Sequence, residues 1–252
     1  LSPQEQGALL QAIHERQTTH LIHQAEQWKG EMEARGGSQT QPTVQNLFLA
    51  ATEQSHGVCS ALAAQLAAAA LGDTTGAGTL HYLRKLSATI EHPSGASNRL
   101  FALGLLEWSL IADTQKFATR AAPQTPATLG AIVSLLQGAT VPSAYELSVG
   151  THALAVGTVM RNGQRVYFLA DPNYGYSEFA SEHTLRQGLA YVDSTLPAHE
   201  NMPTTGARFQ LRRYRSDLAQ QALFQDQSTD RQHPTRLRLA DLAQPDELAT
   251  RF

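Results

Sequence analysis

The sequence predicts an α+β fold, helices first and an antiparallel sheet second, on three observations. Segments of helical periodicity separated by glycine-rich or proline-rich breaks, the last at Arg120 to Pro126, occupy the chain up to Tyr145. From Tyr145 the character changes, and two apolar runs flank Asn162-Gly163, a strong short-range signal for a hairpin. Helices grouped before strands, rather than alternating with them, argue against a doubly wound parallel sheet.

The elements follow in order. Ser2-Pro3 with Glu5 reads as an N-cap with proline at the first helical position, and Leu21, Ala25, Trp28 and Met32 recur at 4-3-4 spacing along a long amphipathic helix. Trp28 and Met32 are packing residues on this reading. The helix should stop at Arg35-Gly36-Gly37, leaving polar Ser38 to Pro42 as a linker. Next comes Gln54-Ser55-His56-Gly57-Val58-Cys59-Ser60-Ala61-Leu62, where Cys59 opens an alanine-rich run whose Leu62, Leu66 and Ala69 share one face of a helix buried on most sides. Breaks at Gly72 to Gly78, His92 to Asn98 and Arg120 to Pro126 separate three further helical segments, Leu80 to Ile90 and Leu100 to Phe117 among them, with Trp108 in a core. Ala153 to Met160 and Gln164 to Leu169 form the hairpin, Ser194 to Gly206 is a long loop, and Ala207 to Tyr214 is a further strand. A polar stretch, Gln225 to Arg236, and a short helix close the chain.

With 252 residues, 42% hydrophobic and 16% charged, the chain can bury a sizeable core. A net charge of -3 gives no bulk electrostatic reason to expect nucleic acid, and the short basic run Arg212-Arg213-Tyr214-Arg215 reads as a solvated strand end. One cysteine cannot make an intramolecular disulfide, so the fold does not depend on an oxidising compartment. The longest apolar run, Ala61 to Leu71, is too short to cross a bilayer, and Leu1 is followed by polar residues rather than a signal-peptide core. A start at Leu1 suggests a fragment of something longer. His14, His20 and His23 on the first helix lack the ligand set of a metal site, and Gly72 to Gly78 lacks the lysine and preceding strand of a phosphate loop. No metal and no cofactor are expected.

A lone thiol followed in the chain by a histidine and an aspartate has the order of nucleophile, base and orienter. At the start of a helix Cys59 gains from the dipole, which favours the thiolate. If Asn162-Gly163 makes a two-residue turn, Arg161 faces Gln164, His152 falls opposite Asn173 and Leu154 opposite Asp171. His152 and Asp171 then lie on one face as diagonal neighbours, an arrangement that a one-residue slip would destroy. Asp171 could hold one ring nitrogen of His152 while the other addresses the thiol. Acyl transfer needs an oxyanion site as well, and the Cys59 backbone N–H with the side-chain amide of Gln54 are the candidates. Read alone, Asp171 before Pro172 is a turn residue and Cys59 a small core residue; the hairpin pairing is what joins them.

These segments, with Phe168-Leu169-Ala170-Asp171-Pro172-Asn173-Tyr174-Gly175, resemble the papain-like cysteine peptidases of the YopT type, bacterial effectors and toxin domains with Cys, His and Asp in this order. Related deamidase domains occur in large bacterial toxins. The resemblance covers about Gln54 to Tyr214 and implies Cys59 as nucleophile, His152 as base, Asp171 as orienter and Gln54 at the oxyanion hole. Together with the elements outside that span, the chain divides into residues 1–42 as an N-terminal helix and linker, 43–224 as the papain-like catalytic domain and 225–252 as a tail with a short helix. Where that family often carries bulkier apolar residues and an aromatic after the cysteine, this run is nearly all alanine.

The resemblance further implies a protein substrate in a host or target cell, delivery into that cell's cytoplasm, and a place in a larger toxin chain. Three functions are open on the sequence: peptide-bond hydrolysis, deamidation or transglutamination of a protein glutamine such as that of a GTPase or Gα subunit, and a non-catalytic interaction module.

Overall fold

Pro3 opens the first helix, α1 (Pro3–Ala34), where its missing N–H would be unpaired in any case. The stripe Ala25, Trp28 and Met32 is buried, and the chain leaves the helix at the expected place. In the computed structural model residues 2–43, 59–72, 123–150, 152–196 and 207–214 are described. After α1 come β1 (Gly37–Pro42), α2 (Cys59–Gly72), β2 (Thr125–Ala127), α3 (Leu129–Gln137), β3 (Ser143–Val149), β4 (His152–Arg161), β5 (Gln164–Asp171), β6 (Gly175–Phe179), α4 (Glu182–Thr195) and β7 (Phe209–Arg213). The strands form one antiparallel sheet in the order β1-β6-β5-β4-β3-β7-β2, so the fold is α+β.

The β4–β5 hairpin sets the register of the centre of the sheet. Asn162 and Gly163 both take positive φ, 50° and 80°, as a type I′ turn requires, and Arg161 pairs with Gln164. Pairing continues to Ala155 opposite Ala170, and extending it brings His152 to Asn173 and Leu154 to Asp171. That is the register the turn chemistry predicts.

Alternation then gives the sheet two different faces. One carries Ala144, Glu146 and Ser148 from β3, Ala153, Ala155 and Gly157 from β4, and Phe168 and Ala170 from β5. α2 packs on this face: its Leu62, Leu66 and all its described alanines are buried, Ser60 bonds Glu146, and Arg161 bonds the Ala70 carbonyl. The alanine run that departs from the resembling family thus has a physical reason, a close approach of helix to sheet. A Cβ on Gly157 would lie 2.5 Å from the Phe168 ring and 2.3 Å from the Ser143 carbonyl oxygen. The other face, with Leu147, Val149, Leu154, Val156, Leu169 and Phe179, packs with Trp28 and Met32 of α1, Ile132, Val133 and Leu136 of α3, and Leu185, Leu189 and Val192 of α4.

One expectation is corrected here. Gly37–Pro42 is an edge strand paired with β6, not a linker. Its polar side chains suit an edge, Thr40 meets the Ser177 hydroxyl at 2.9 Å, and a register shift between Ser38 and Gln41, with Gln39 at φ 53°, takes up the irregularity. The expected break at Arg120 to Pro126 runs into the short strand β2. β6 and α4 fall where the sequence reading proposed no element, and α4 is fixed by a capping box between Ser181 and Thr184. The helical segments Leu80 to Ile90 and Leu100 to Phe117, Trp108, and the C-terminal stretch lie outside the described residues.

Candidate active site

Three element ends meet at one place in the fold. Cys59 is the first residue of α2, His152 the first of β4 and Asp171 the last of β5. His152 Nε2 lies 2.9 Å from Asp171 Oδ1, and the side chains are 13% and 1% exposed. The Cys59 side chain hydrogen-bonds to the imidazole as well. Cys59 itself is partly buried and is not in a disulfide.

The carboxylate is held by more than the histidine. Asp171 Oδ1 also accepts from the Asn173 N–H at 2.9 Å, an Asx turn closed by the Asp-Pro-Asn sequence. The two sequence readings of Asp171, turn former and partner of His152, are therefore both present in one side chain. The Asp171 carbonyl accepts from the Tyr174 N–H at 3.0 Å and the Thr43 hydroxyl at 3.4 Å, and the Thr43 N–H donates to the Tyr174 carbonyl at 3.0 Å. Asp171 Oδ2 is buried with no hydrogen-bond partner among the described residues.

These contacts set the charge state of the ring. Burial, the largest influence on His152, disfavours the imidazolium. The hydrogen bond to Asp171, then that to Cys59, and the charges of both outweigh it, and the pKa rises from 6.5 to about 10. At neutral pH the ring is protonated, flanked by a carboxylate on one side and the sulfur on the other. Nearby, burial and then the Asp171 charge push the Tyr174 hydroxyl up.

Gln54, proposed from sequence for the oxyanion hole, and His56 lie outside the described residues. His20 and His23 are exposed on α1, and no group of metal-ligating side chains occurs among the described residues. Sequence reasoning missed two buried carboxylates on the α2 face. Glu146 accepts from Ser60 and Ser148 at 3.3 and 2.8 Å, and Glu178 accepts from Arg161 and Tyr176. Alternation in Tyr145-Glu146-Leu147-Ser148 could have placed Glu146 inward, since its neighbours Leu147 and Tyr145 face the other side.

A helix that starts with a cysteine, packed on an antiparallel sheet whose adjacent strand ends carry histidine and aspartate, defines the papain-like effector class. The Mcf1 protease effector domain family matches residues 1–195, and the chain belongs to that family. The match takes in α1 and β1, which the sequence resemblance had left out. In fold the chain is similar to PatoxP, a cysteine protease-like domain of the Photorhabdus asymbiotica toxin PaTox, with a TM-score of 0.58 and 14% identity over 82% of this chain. The chain spans 63% of the length of that domain. No match was found among curated proteins.

Proposed function

We propose that this protease effector domain is a cysteine peptidase that acts on a protein inside a target cell, with Cys59 as nucleophile, His152 as acid and base, and Asp171 as orienter. The observation that carries the reading is the 2.9 Å bond between His152 Nε2 and Asp171 Oδ1 on a ring that also bonds Cys59. Asp171 occupies Nε2, so Nδ1 is the nitrogen that serves the sulfur.

The thiolate attacks the scissile carbonyl carbon and forms a C–S bond as the carbonyl electrons move onto oxygen. The Cys59 N–H at the start of α2, joined by the Gln54 amide, stabilises that oxyanion. Collapse expels the amine, which takes its proton from the imidazolium. A water then gives a proton to His152 and attacks the thioester, releasing the acid and restoring the thiolate. Among the described residues no helix is long and apolar enough to cross a membrane, and delivery into the target cell as part of a larger toxin chain accords with the family.

The test is intact-mass analysis of target-cell proteins after treatment with the wild type and with Cys59→Ala. New termini that need Cys59 support the peptidase. The mass gain of a glutamine-to-glutamate change with no new terminus would replace peptidase by deamidase on the same three residues. No Cys59-dependent product of either kind, together with alkylation of Cys59 no faster than in the unfolded chain, favours a non-catalytic interaction module.

A further inference from the structure

We propose that Arg161 is a positioning residue that fixes how far the nucleophile's helix can slide along β4, and so where Cys59 stands relative to His152. The proposal rests on the reading of Cys59 and His152 as nucleophile and base. β4 begins with His152 and ends with Arg161, and α2 meets it at both ends in the same order. The Cys59 side chain bonds His152, and the Ala70 carbonyl accepts from Arg161 Nη1 at 3.1 Å. From Cys59 to Ala70 the helix advances about 17 Å, whereas the strand between its two end residues covers about 30 Å. The side chains at both ends must take up the difference, and at the far end of β4 arginine reaches the Ala70 carbonyl where a short side chain could not.

The surfaces between these two attachments hold little register. The helix offers mostly alanine and the sheet offers Ala144, Ala153, Ala155, Gly157 and Ala170, so the ridges that lock helices and sheets by interdigitation are shallow. A directional bond has to supply what shape does not. Ala70 lies in the last turn of α2, where carbonyls have no partner within the helix, and a guanidinium is well suited to take one.

Arg161 is itself held firmly enough to act as a stop. Its Nε and Nη2 both donate to Glu178 Oε1, at 2.9 and 2.7 Å, and Nη2 reaches the Tyr176 hydroxyl at 3.4 Å. Tyr176 donates to the same Glu178 oxygen at 2.7 Å and stacks on Phe168, with ring centroids 5.9 Å apart. Arg161 is 8% exposed and Tyr176 fully buried. At the opposite end Ser60 donates to Glu146 at 3.3 Å and ties the first turn to β3. The helix is pinned at both ends by side chains whose own places are set by the sheet.

The experiment is alkylation of Cys59 by iodoacetamide in the native protein, followed from acidic to mildly alkaline pH. It is run on the wild type, Arg161→Lys, Arg161→Met/Glu178→Met and His152→Ala, each checked by circular dichroism and thermal unfolding. The double variant removes both buried charges together, which cores commonly tolerate. Folded, it should lose about tenfold in rate at neutral pH, because a sulfur displaced from His152 loses the ring that favours the reactive thiolate. Its pH profile should move toward that of His152→Ala. Arg161→Lys keeps the charge beside Glu178 without the fork and should fall between the two. A folded double variant with wild-type rate and profile overturns the proposal, and if the double variant does not fold, a wild-type rate and profile in Arg161→Lys overturns it. His152→Ala separates the failures: if it too leaves the rate unchanged, the reading of Cys59 and His152 falls, whereas slowing in His152→Ala alone removes only the role of Arg161.

Discussion

At its start β4 presents His152, bonded through one nitrogen to Asp171, with one carboxylate oxygen buried and free of partners among the described residues. At its end it presents Arg161, two of whose nitrogens share one oxygen of Glu178 with the Tyr176 hydroxyl. The first is an ion pair between neighbouring strands, the second reaches from β4 past β5 to β6, and both are largely shielded from solvent. They differ in what they leave open. The imidazole has a second nitrogen that can lose and regain a proton, while the guanidinium is always charged and each of its bonds is spent on holding position. One strand thus carries a pair that can change state and a pair that cannot.

The largest effects break that difference outright. Cys59→Ala should reduce turnover by about 10⁴-fold or more, the loss seen when the nucleophile of a triad is removed, and leave the thermal unfolding of the fold nearly unchanged. Assay of substrate cleavage beside a melting curve checks it, and a cleaving Cys59→Ala protein would sink the mechanism. At the other end of the strand the consequences reverse. Glu178→Leu strands a guanidinium that is 8% exposed and should cost about 3–5 kcal/mol of stability, the usual result of removing one partner of a buried pair. Urea unfolding measures this, and a loss below about 1 kcal/mol, the level of an exposed pair, would mean that Arg161 finds water or another partner.

How far the two ends could be read from sequence follows from their chemistry. The His152–Asp171 end was legible because Asn162-Gly163 admits positive φ and pins the register, after which the facing of residues ten positions away is arithmetic. The buried stripe of Trp28 and Met32 was legible from helical period. The Arg161–Glu178 end was not, because charged residues in isolation read as surface and Glu178 lies on β6, a strand the sequence reading did not propose. Its burial depends on α2 above and β1 beside, and β1 is the polar segment taken for a linker. Nonlocal pairing of β3 with β7, and β7 with β2, is likewise invisible to local pattern. Gln54 lies outside the described residues, so its role stays with the proposal.

A smaller effect sharpens the contrast through pH. Asp171→Asn keeps an oxygen for His152 and removes the charge that helps hold the ring protonated, so kcat/KM should drop by about tenfold, the equivalent of about one pKa unit. Departure of the amine needs the imidazolium, so in the wild type activity should decline as pH rises through about 10, and in the variant that decline should begin at lower pH. Stability follows the same sign. His152 binds its proton more tightly folded than unfolded, so its contribution is complete below about 6.5 and is lost as pH rises to about 10. The window should narrow from its upper end in Asp171→Asn. Urea midpoints and rate profiles across this range test both, and an unshifted alkaline limb would show that Asp171 does not set the charge of the ring.

The smallest effect probes what holds the changeable pair in place. Thr43, just past β1, donates its hydroxyl to the Asp171 carbonyl at 3.4 Å, and that carbonyl also accepts from the Tyr174 N–H at 3.0 Å. Thr43→Val preserves the branched shape in a site only 3% exposed and removes one long bond, leaving the carbonyl satisfied. The expected cost is about 0.5–1 kcal/mol of stability, with a fall in kcat/KM of less than about fivefold, since under 1 kcal/mol of misplacement can reach the barrier. A much larger loss of kcat at unchanged stability would mean that the Asp171–Gly175 turn depends on this hydroxyl for its position.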